Sequence, residues 1–313
     1  MRKLALAGVA AFGITAVAGK PLIGWLSRLK YRQRAYEDAP QTHQAKTGTP
    51  TMGGLLFAAA PLVALTLAPG PATISLSVLV GGMAAIGFVD DLAAIRRARN
   101  RGLRAGTKFV LTALVGSAFL ALFARLSPRA PVMLGVRANL AWVWFPLSLA
   151  AVLGTTHAVN LTDGLDGLAG GTILPPLAVL TALAVRAGDT DTATFEIATA
   201  GTVVGFLLYN RHPAKVFMGD TGSLALGAAL AGGAIVTGAQ LLLPLVGGVF
   251  AAETLSVILQ VASFKLTKRR IFRMSPLHHH FELGGWPETK VTTRFWLASA
   301  ALSGVGFVLA ARR

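Results

Sequence analysis

The chain is expected to fold as an all-α integral membrane protein with ten transmembrane helices and both termini extracytoplasmic. Three observations predict this. Only 13% of the 313 residues are charged while 54% are hydrophobic, against about a quarter charged in a soluble domain. Apolar stretches of roughly 18 to 22 residues recur along the chain, the length a helix needs to cross a bilayer. Lysine and arginine fall unevenly between alternate loops, as the positive-inside rule requires of a membrane bundle. A very apolar soluble core would need interleaved polar faces, which these stretches lack.

The first span, near 4–26, has a basic start and an apolar middle, with Ala16-Val17-Ala18 before Gly19. That pattern resembles a cleavable signal peptide. Cleavage, however, would leave the basic stretch from Arg28 to Lys46 outside, so the segment is read as a retained helix. Further spans follow near 52–68, 73–90, 108–125, 141–158, 168–186, 193–209, 221–238, 243–262 and 291–310. Ser, Thr, Gly and Ala are plentiful inside them, as expected where membrane helices approach closely. Strand signals are weak outside 130–140, where a short hairpin is expected. No repeat or linker divides the chain, so residues 1–313 read as a single domain.

Loops after odd-numbered spans carry 20 Lys and Arg, against 8 on the other side, which places the odd loops in the cytoplasm. The net charge of +16 follows from this topology and from attraction to anionic headgroups. It is a poor argument for a nucleic-acid partner, and none is expected. With no cysteine, disulfides and thiolate chemistry are excluded.

Acids are scarce, thirteen in all, and five are aspartates at span boundaries on the cytoplasmic side. Asp90 and Asp91 lie in "GFVDDL", Asp163 and Asp166 in "NLTDGLDGLAGG", and Asp220 in "FMGDTGSLALG". Each motif is glycine-flanked and adjoins a helix, which favours one joint site over independent loop acids. Converging aspartates repel unless a cation joins them. Hard oxygen ligands at a few points favour Mg²⁺, which keeps waters and bridges to phosphate oxygens. With Lys46, Arg96, Arg97 and Lys215 nearby, the parts are those of a phosphoryl-transfer site. No Walker A or G-x-G-x-x-G pattern is present to bind a nucleotide in another way.

"SPLHHHFELGGWPETK" places His278, His279 and His280 in the last cytoplasmic loop. Consecutive residues rarely converge on one zinc ion, so phosphate contact or proton transfer is the better functional reading, beside that of an incidental polar loop. The preceding "KLTKRRIFR" either enforces topology alone or also binds anionic lipid headgroups. Glu253 falls inside the ninth span, where a carboxylate marks either a functional site or a neutral hydrogen-bonded group facing other helices.

Together "KTGTPTMGG", "GFVDDL", "NLTDGLDGLAGG", "FMGDTGSLALG", "AETLSVILQV" and "PLHHHFELGGWPE" resemble the polyprenyl-phosphate N-acetylhexosamine-1-phosphate transferases. Within that superfamily the resemblance is to the phospho-N-acetylmuramoyl-pentapeptide translocases. It covers nearly the whole chain, and the set of motifs is far more specific than any one of them. It implies a ten-helix enzyme of the bacterial cytoplasmic (inner) membrane with a cytoplasmic active-site cleft. The implied reaction joins UDP-MurNAc-pentapeptide to undecaprenyl phosphate, giving lipid I and UMP, with Mg²⁺ as cofactor.

The resemblance also implies roles. Asp220 is the metal ligand, with Asn160 beside it, and Asp90 is the base for the lipid phosphate. Asp91 positions metal or substrate, and His278 completes the catalytic set. Asn160, Asp163 and Asp166 form the nucleoside-sugar pocket, with Lys46, Thr51, Asn210, Phe217 and Ser223 around it. Phe217 is placed to stack on uracil. Gln260, His279 and His280 line the site further out. One departure is Ala94, where the family often has lysine; Arg96, Arg97 or Lys108 is expected to supply the missing charge. Two alternatives remain at this stage: transfer of GlcNAc-1-phosphate from UDP-GlcNAc, and an ion-coupled transporter. The oligomeric state, a homodimer included, is left open.

Overall fold

A computed structural model describes residues 1–29, 48–96, 102–127 and 141–311. The regular elements among the described residues are all helices, with no strand; the expected hairpin at 130–140 lies outside them. In chain order the helices are α1 (Arg2–Arg28), α2 (Ala59–Leu67), α3 (Pro71–Arg96), α4 (Ala105–Leu126), α5 (Ala141–Thr162) and α6 (Leu168–Arg186). They continue as α7 (Thr190–Asn210), α8 (Gly219–Val236), α9 (Gly248–Thr267), the short α10 (Leu277–Glu282) and α11 (Glu288–Ala311).

Among the described residues, nine helices are long and apolar enough to cross a membrane. The expected second span differs. It is a 3-10 turn, Gly53–Ala58, running into α2, and together they form a shorter apolar segment, Gly53–Leu67. Its tighter first part rises about 2 Å per residue, so the segment reaches roughly 25 Å, just under a bilayer core. The expected ninth span is also corrected. Gly247 interrupts it, leaving a single turn, Leu243–Val246, before α9 begins at Gly248 and runs on to Thr267. Helices α3 and α5 extend past their expected ends and carry Asp90, Asp91 and Asn160 within the helix.

Helix α8 is the hub. Its apolar window is 83% buried, whereas α1 and α11 are 22% buried and face outward. The reason is composition: "GDTGSLALGAALAGGAIV" is nearly all small residues, so neighbouring backbones pack directly onto it. Helix α3 crosses α8 at Gly87, where an added Cβ would lie 2.2 Å from the Asp220 carbonyl oxygen. Gly54 meets Gly222 as closely, at 2.1 Å from its nitrogen. Helix α5 packs on another side of α8, and α1 lies along α7. At the far end Asp189 caps α7, accepting from Thr192 N–H at 3.1 Å and from its hydroxyl at 2.9 Å. Such a cap is worth about 1 kcal/mol.

Candidate active site

The close crossing at Gly87 brings Asp90 and Asp91, one turn further along α3, to the first turn of α8. Asp91 is buried and its carboxylate is fully engaged. Oδ1 accepts the Asp220 N–H at 3.0 Å; Oδ2 accepts the Thr221 N–H at 2.9 Å and the Thr221 hydroxyl at 2.6 Å. It therefore caps the amino end of α8, where the helix dipole favours an anion. Asp90 turns the other way: its Oδ1 accepts the Leu103 N–H at 2.9 Å and pairs with the Lys108 ammonium at 3.2 Å.

Lys108, in the first turn of α4, also donates to Asp220 Oδ2. Asp220 Oδ1 accepts from Asn160 Nδ2 at 2.8 Å, and the same amide donates to Ser223 Oγ at 2.8 Å. One cation thus lies between two carboxylates from different helices. Of the three basic residues weighed for the charge missing at Ala94, Lys108 lies on the carboxylates and Arg96 is exposed; Arg97, like Lys46, falls outside the described residues. The donor set fits a hard divalent ion. Asp220 keeps 22% of its side chain exposed, whereas Asp91 is sealed by its three donors. Asp220 is the more exposed of the two carboxylates, with Oδ2 on Lys108 and Oδ1 oriented by the Asn160 amide.

The segment between α5 and α6 forms the next wall. Asp166 is buried, and its Oδ2 accepts from the Ala214 N–H at 3.0 Å and lies 3.1 Å from His212 Nδ1. Asn210 is committed at both ends, its Oδ1 accepting the Gly167 N–H at 3.1 Å and its Nδ2 donating to Val216 O at 3.0 Å. It ties the Asp166 loop to the strip before α8 rather than offering a free amide. Phe217 is half-buried on that strip, its N–H donating to Pro50 O at 2.8 Å, and buried Thr51 lies alongside.

Asp163, in the loop, has its carboxyl pushed up to about 8 by burial first, then by the charges of Asp220, Asp91 and Asp166. The folded protein then holds a proton that the unfolded chain loses near 3.8. Stability from this group therefore falls as pH rises from about 4 to about 8, and is flat above. Asp163→Asn is expected to gain thermal stability over the native protein, with the gap widening across that window; a constant gap from pH 5 to 9 counts against it.

The three histidines do not act as a set. His278 is 1% exposed, and its N–H and Nδ1 both lie 3.2 Å from Oε1 of buried Glu253. Its Nε2 abuts Gly164, where a Cβ would come within 2.3 Å. Glu253 is thus the hydrogen-bonded intramembrane acid, and His278 buttresses the Asp163–Asp166 loop from behind. His279 Nδ1 pairs with Glu282 at 2.8 Å, and His280 Nδ1 accepts the Arg273 N–H at 3.1 Å. Gln260 folds onto the loop beyond α9, accepting from the Ile271 and Phe272 N–H groups at 2.9 Å and donating to Phe272 O at 2.9 Å. Sequence reasoning gave no role to Thr221, His212 or Glu288. Only the "GWPE" motif hinted at the last.

A helical membrane bundle whose carboxylates meet a lysine and a glycine-lined polar loop at the ends of its helices has the parts of a membrane-embedded phosphoryl-transfer enzyme. The comparisons agree. The profile of glycosyl transferase family 4 matches residues 73–238, which spans α3 to just beyond α8 and holds Asp90 through Asp220. A phospho-N-acetylmuramoyl-pentapeptide-transferase of Heliobacterium modesticaldum is 48% identical, covering 99% of this chain and 98% of its own. The proteins of that name from Moorella thermoacetica and Bacillus subtilis are 47% and 41% identical, over 99% and 95% of this chain. The chain belongs to the phospho-N-acetylmuramoyl-pentapeptide-transferases of glycosyl transferase family 4.

Proposed function

We propose that this protein transfers phospho-MurNAc-pentapeptide from UDP-MurNAc-pentapeptide to undecaprenyl phosphate, giving lipid I and UMP for peptidoglycan synthesis, with Mg²⁺ as cofactor. The observation that carries the reading is the convergence of Asp90 and Asp220 on Lys108, with Asp91 anchoring the first turn of α8 beside them. An oxygen of the lipid phosphate attacks the β-phosphorus, and the bond from that phosphorus to the bridging oxygen breaks. UMP leaves with the electron pair. Asp90 accepts the proton of a lipid phosphate that arrives protonated, and Lys108 offsets charge on the phosphoryl oxygens. Mg²⁺, when bound, neutralises the pyrophosphate; Asp220 is the residue to hold it, with Asn160 alongside.

A lipid acceptor needs a dry path to this polar end. An apolar cavity of about 480 Å³ lies between α5, α8 and α9, lined by Leu147, Ala151, Gly154, Leu230, Phe250 and Ile258. Ala158 also lines it, two residues before Asn160 on α5. An isoprenoid chain suits that lining, and its phosphate would then emerge beside Asp220. The cradle around Asp166 takes the nucleotide sugar.

Purified protein supplied with UDP-MurNAc-pentapeptide, undecaprenyl phosphate and Mg²⁺ is expected to release UMP and form a pyrophosphate-linked lipid. Product only from UDP-GlcNAc would move the protein to the alternative donor, and no product from either would reject the reading. The charge asymmetry supports a site that faces the cytoplasm of a bacterial cell. Single cysteines at Arg99 and Thr289 are then shielded from an impermeant thiol reagent outside, while one at Arg129 reacts. The reverse labelling would invert the topology.

A further inference from the structure

Glu288, at the first position of α11, reaches into the cradle from the opposite end of the chain. Its Oε1 accepts the Asp166 N–H at 2.6 Å across 122 residues of sequence. Its Oε2 lies 3.5 Å from His212 Nδ1, and that same nitrogen lies 3.1 Å from Asp166 Oδ2. The loop after α5, the turn after α7 and the start of α11 therefore meet at one node. Two carboxylates this close repel, and an Nδ1–H directed between them offsets the repulsion. Trp296, further along α11, donates from Nε1 to Gly167 O at 3.2 Å, so the last helix holds the loop at two successive residues.

We propose that Glu288 and His212 are positioning residues that clamp Asp166 in its binding geometry, so that α11 sets the affinity for the nucleotide sugar. The proposal rests on Asp166 belonging to the nucleotide-sugar cradle. Side-chain and backbone donors fix Asp166 from both sides, so the cradle is formed before the ligand arrives and no affinity is lost to ordering it. Removing Glu288 leaves the Asp166 N–H without its short acceptor and releases one wall of the clamp. The three groups also have ligand atoms within 4.8 Å of one another, the spacing of a metal site. The Ala214 N–H on the same Asp166 oxygen and the Glu288 bond to the Asp166 N–H favour the clamp.

Calorimetric titration of UDP into detergent-solubilised full-length protein tests this. Glu288→Ala is expected to weaken UDP binding about tenfold, and Glu288→Gln to recover most of it, because the amide oxygen still accepts the N–H. His212→Ala is expected to weaken binding a few-fold, and His212→Asn to restore it by placing an amide N–H where Nδ1 donated. In turnover the loss falls on KM more than on kcat. Asp166→Asn combined with Glu288→Ala binds no more weakly than Asp166→Asn alone, since both act through one group. His212 is partly exposed, so its variants carry the test should Glu288→Ala fail to fold. If Asp166→Asn loses affinity while the Glu288 and His212 variants bind like the native protein, the clamp is rejected and the cradle stands. If Asp166→Asn itself binds UDP normally, the cradle is rejected. Saturable Zn²⁺ binding that disappears in His212→Ala would make the node a metal site and overturn the clamp.

Discussion

Asp220→Asn is expected to lower the transfer rate by about 10²–10³, the usual cost of one lost transition-state electrostatic contact. The substitution keeps shape but replaces one carboxylate oxygen by an NH₂ group. That group would face either Asn160 Nδ2 or the Lys108 ammonium, both of which are donors. One of the two contacts must open, and the proposed metal loses its anionic ligand. The Mg²⁺ concentration for half-maximal rate should therefore rise as kcat falls, while UDP affinity, which the proposed cradle assigns to Asp166, changes little. A steady-state titration of Mg²⁺ with native and substituted protein reads both effects. Near-native turnover at ordinary Mg²⁺ would remove Asp220 from the centre.

Much of this site was legible because glycines mark it. Gly87 and Gly54 sit where backbones touch α8, and "GFVDDL" and "FMGDTGSLALG" carry their acids within a turn of those contacts. Helix lengths followed from bilayer thickness, except at Gly53–Leu67, where a 3-10 start made a shorter segment, and at Gly247, where the chain breaks. What the residues could not state was partnership. Asp91 looked like a metal or substrate group, but its oxygens are taken by backbone and hydroxyl donors 129 and 130 positions away. Gln260 and His278 have polar side chains in the right motifs, yet their folded neighbours are a loop backbone and Glu253. Pairings over such separations leave no local periodicity to read. Glu196 shows the same gap: it is fully buried in α7, with neither oxygen hydrogen-bonded among the described residues. An intramembrane acid is expensive, and although Glu196 falls within the expected span 193–209, its sequence context named no partner for it.

Lys108→Met separates the lysine's role from that of the metal. Methionine keeps much of the length and packing of the stem but removes the ammonium that lies between Asp90 and Asp220. With Lys108 acting on the phosphoryl oxygens during transfer, kcat is expected to fall about 10²-fold, with UDP affinity held within about threefold. The response to metal should run opposite to that of Asp220→Asn. Two carboxylates left facing one another without a cation attract a divalent ion more strongly, so half-maximal activation should come at lower Mg²⁺. Both variants are slow, but their Mg²⁺ curves shift in opposite directions. A curve for Lys108→Met that moved to higher Mg²⁺ would mean the ammonium helps to build the metal site. An equal loss of UDP affinity and of kcat would place Lys108 on the bound donor before any bond is broken. With the curve at lower Mg²⁺ and the affinity intact, the lysine is the positive charge that acts during transfer, and Asp220 is the group that holds the ion.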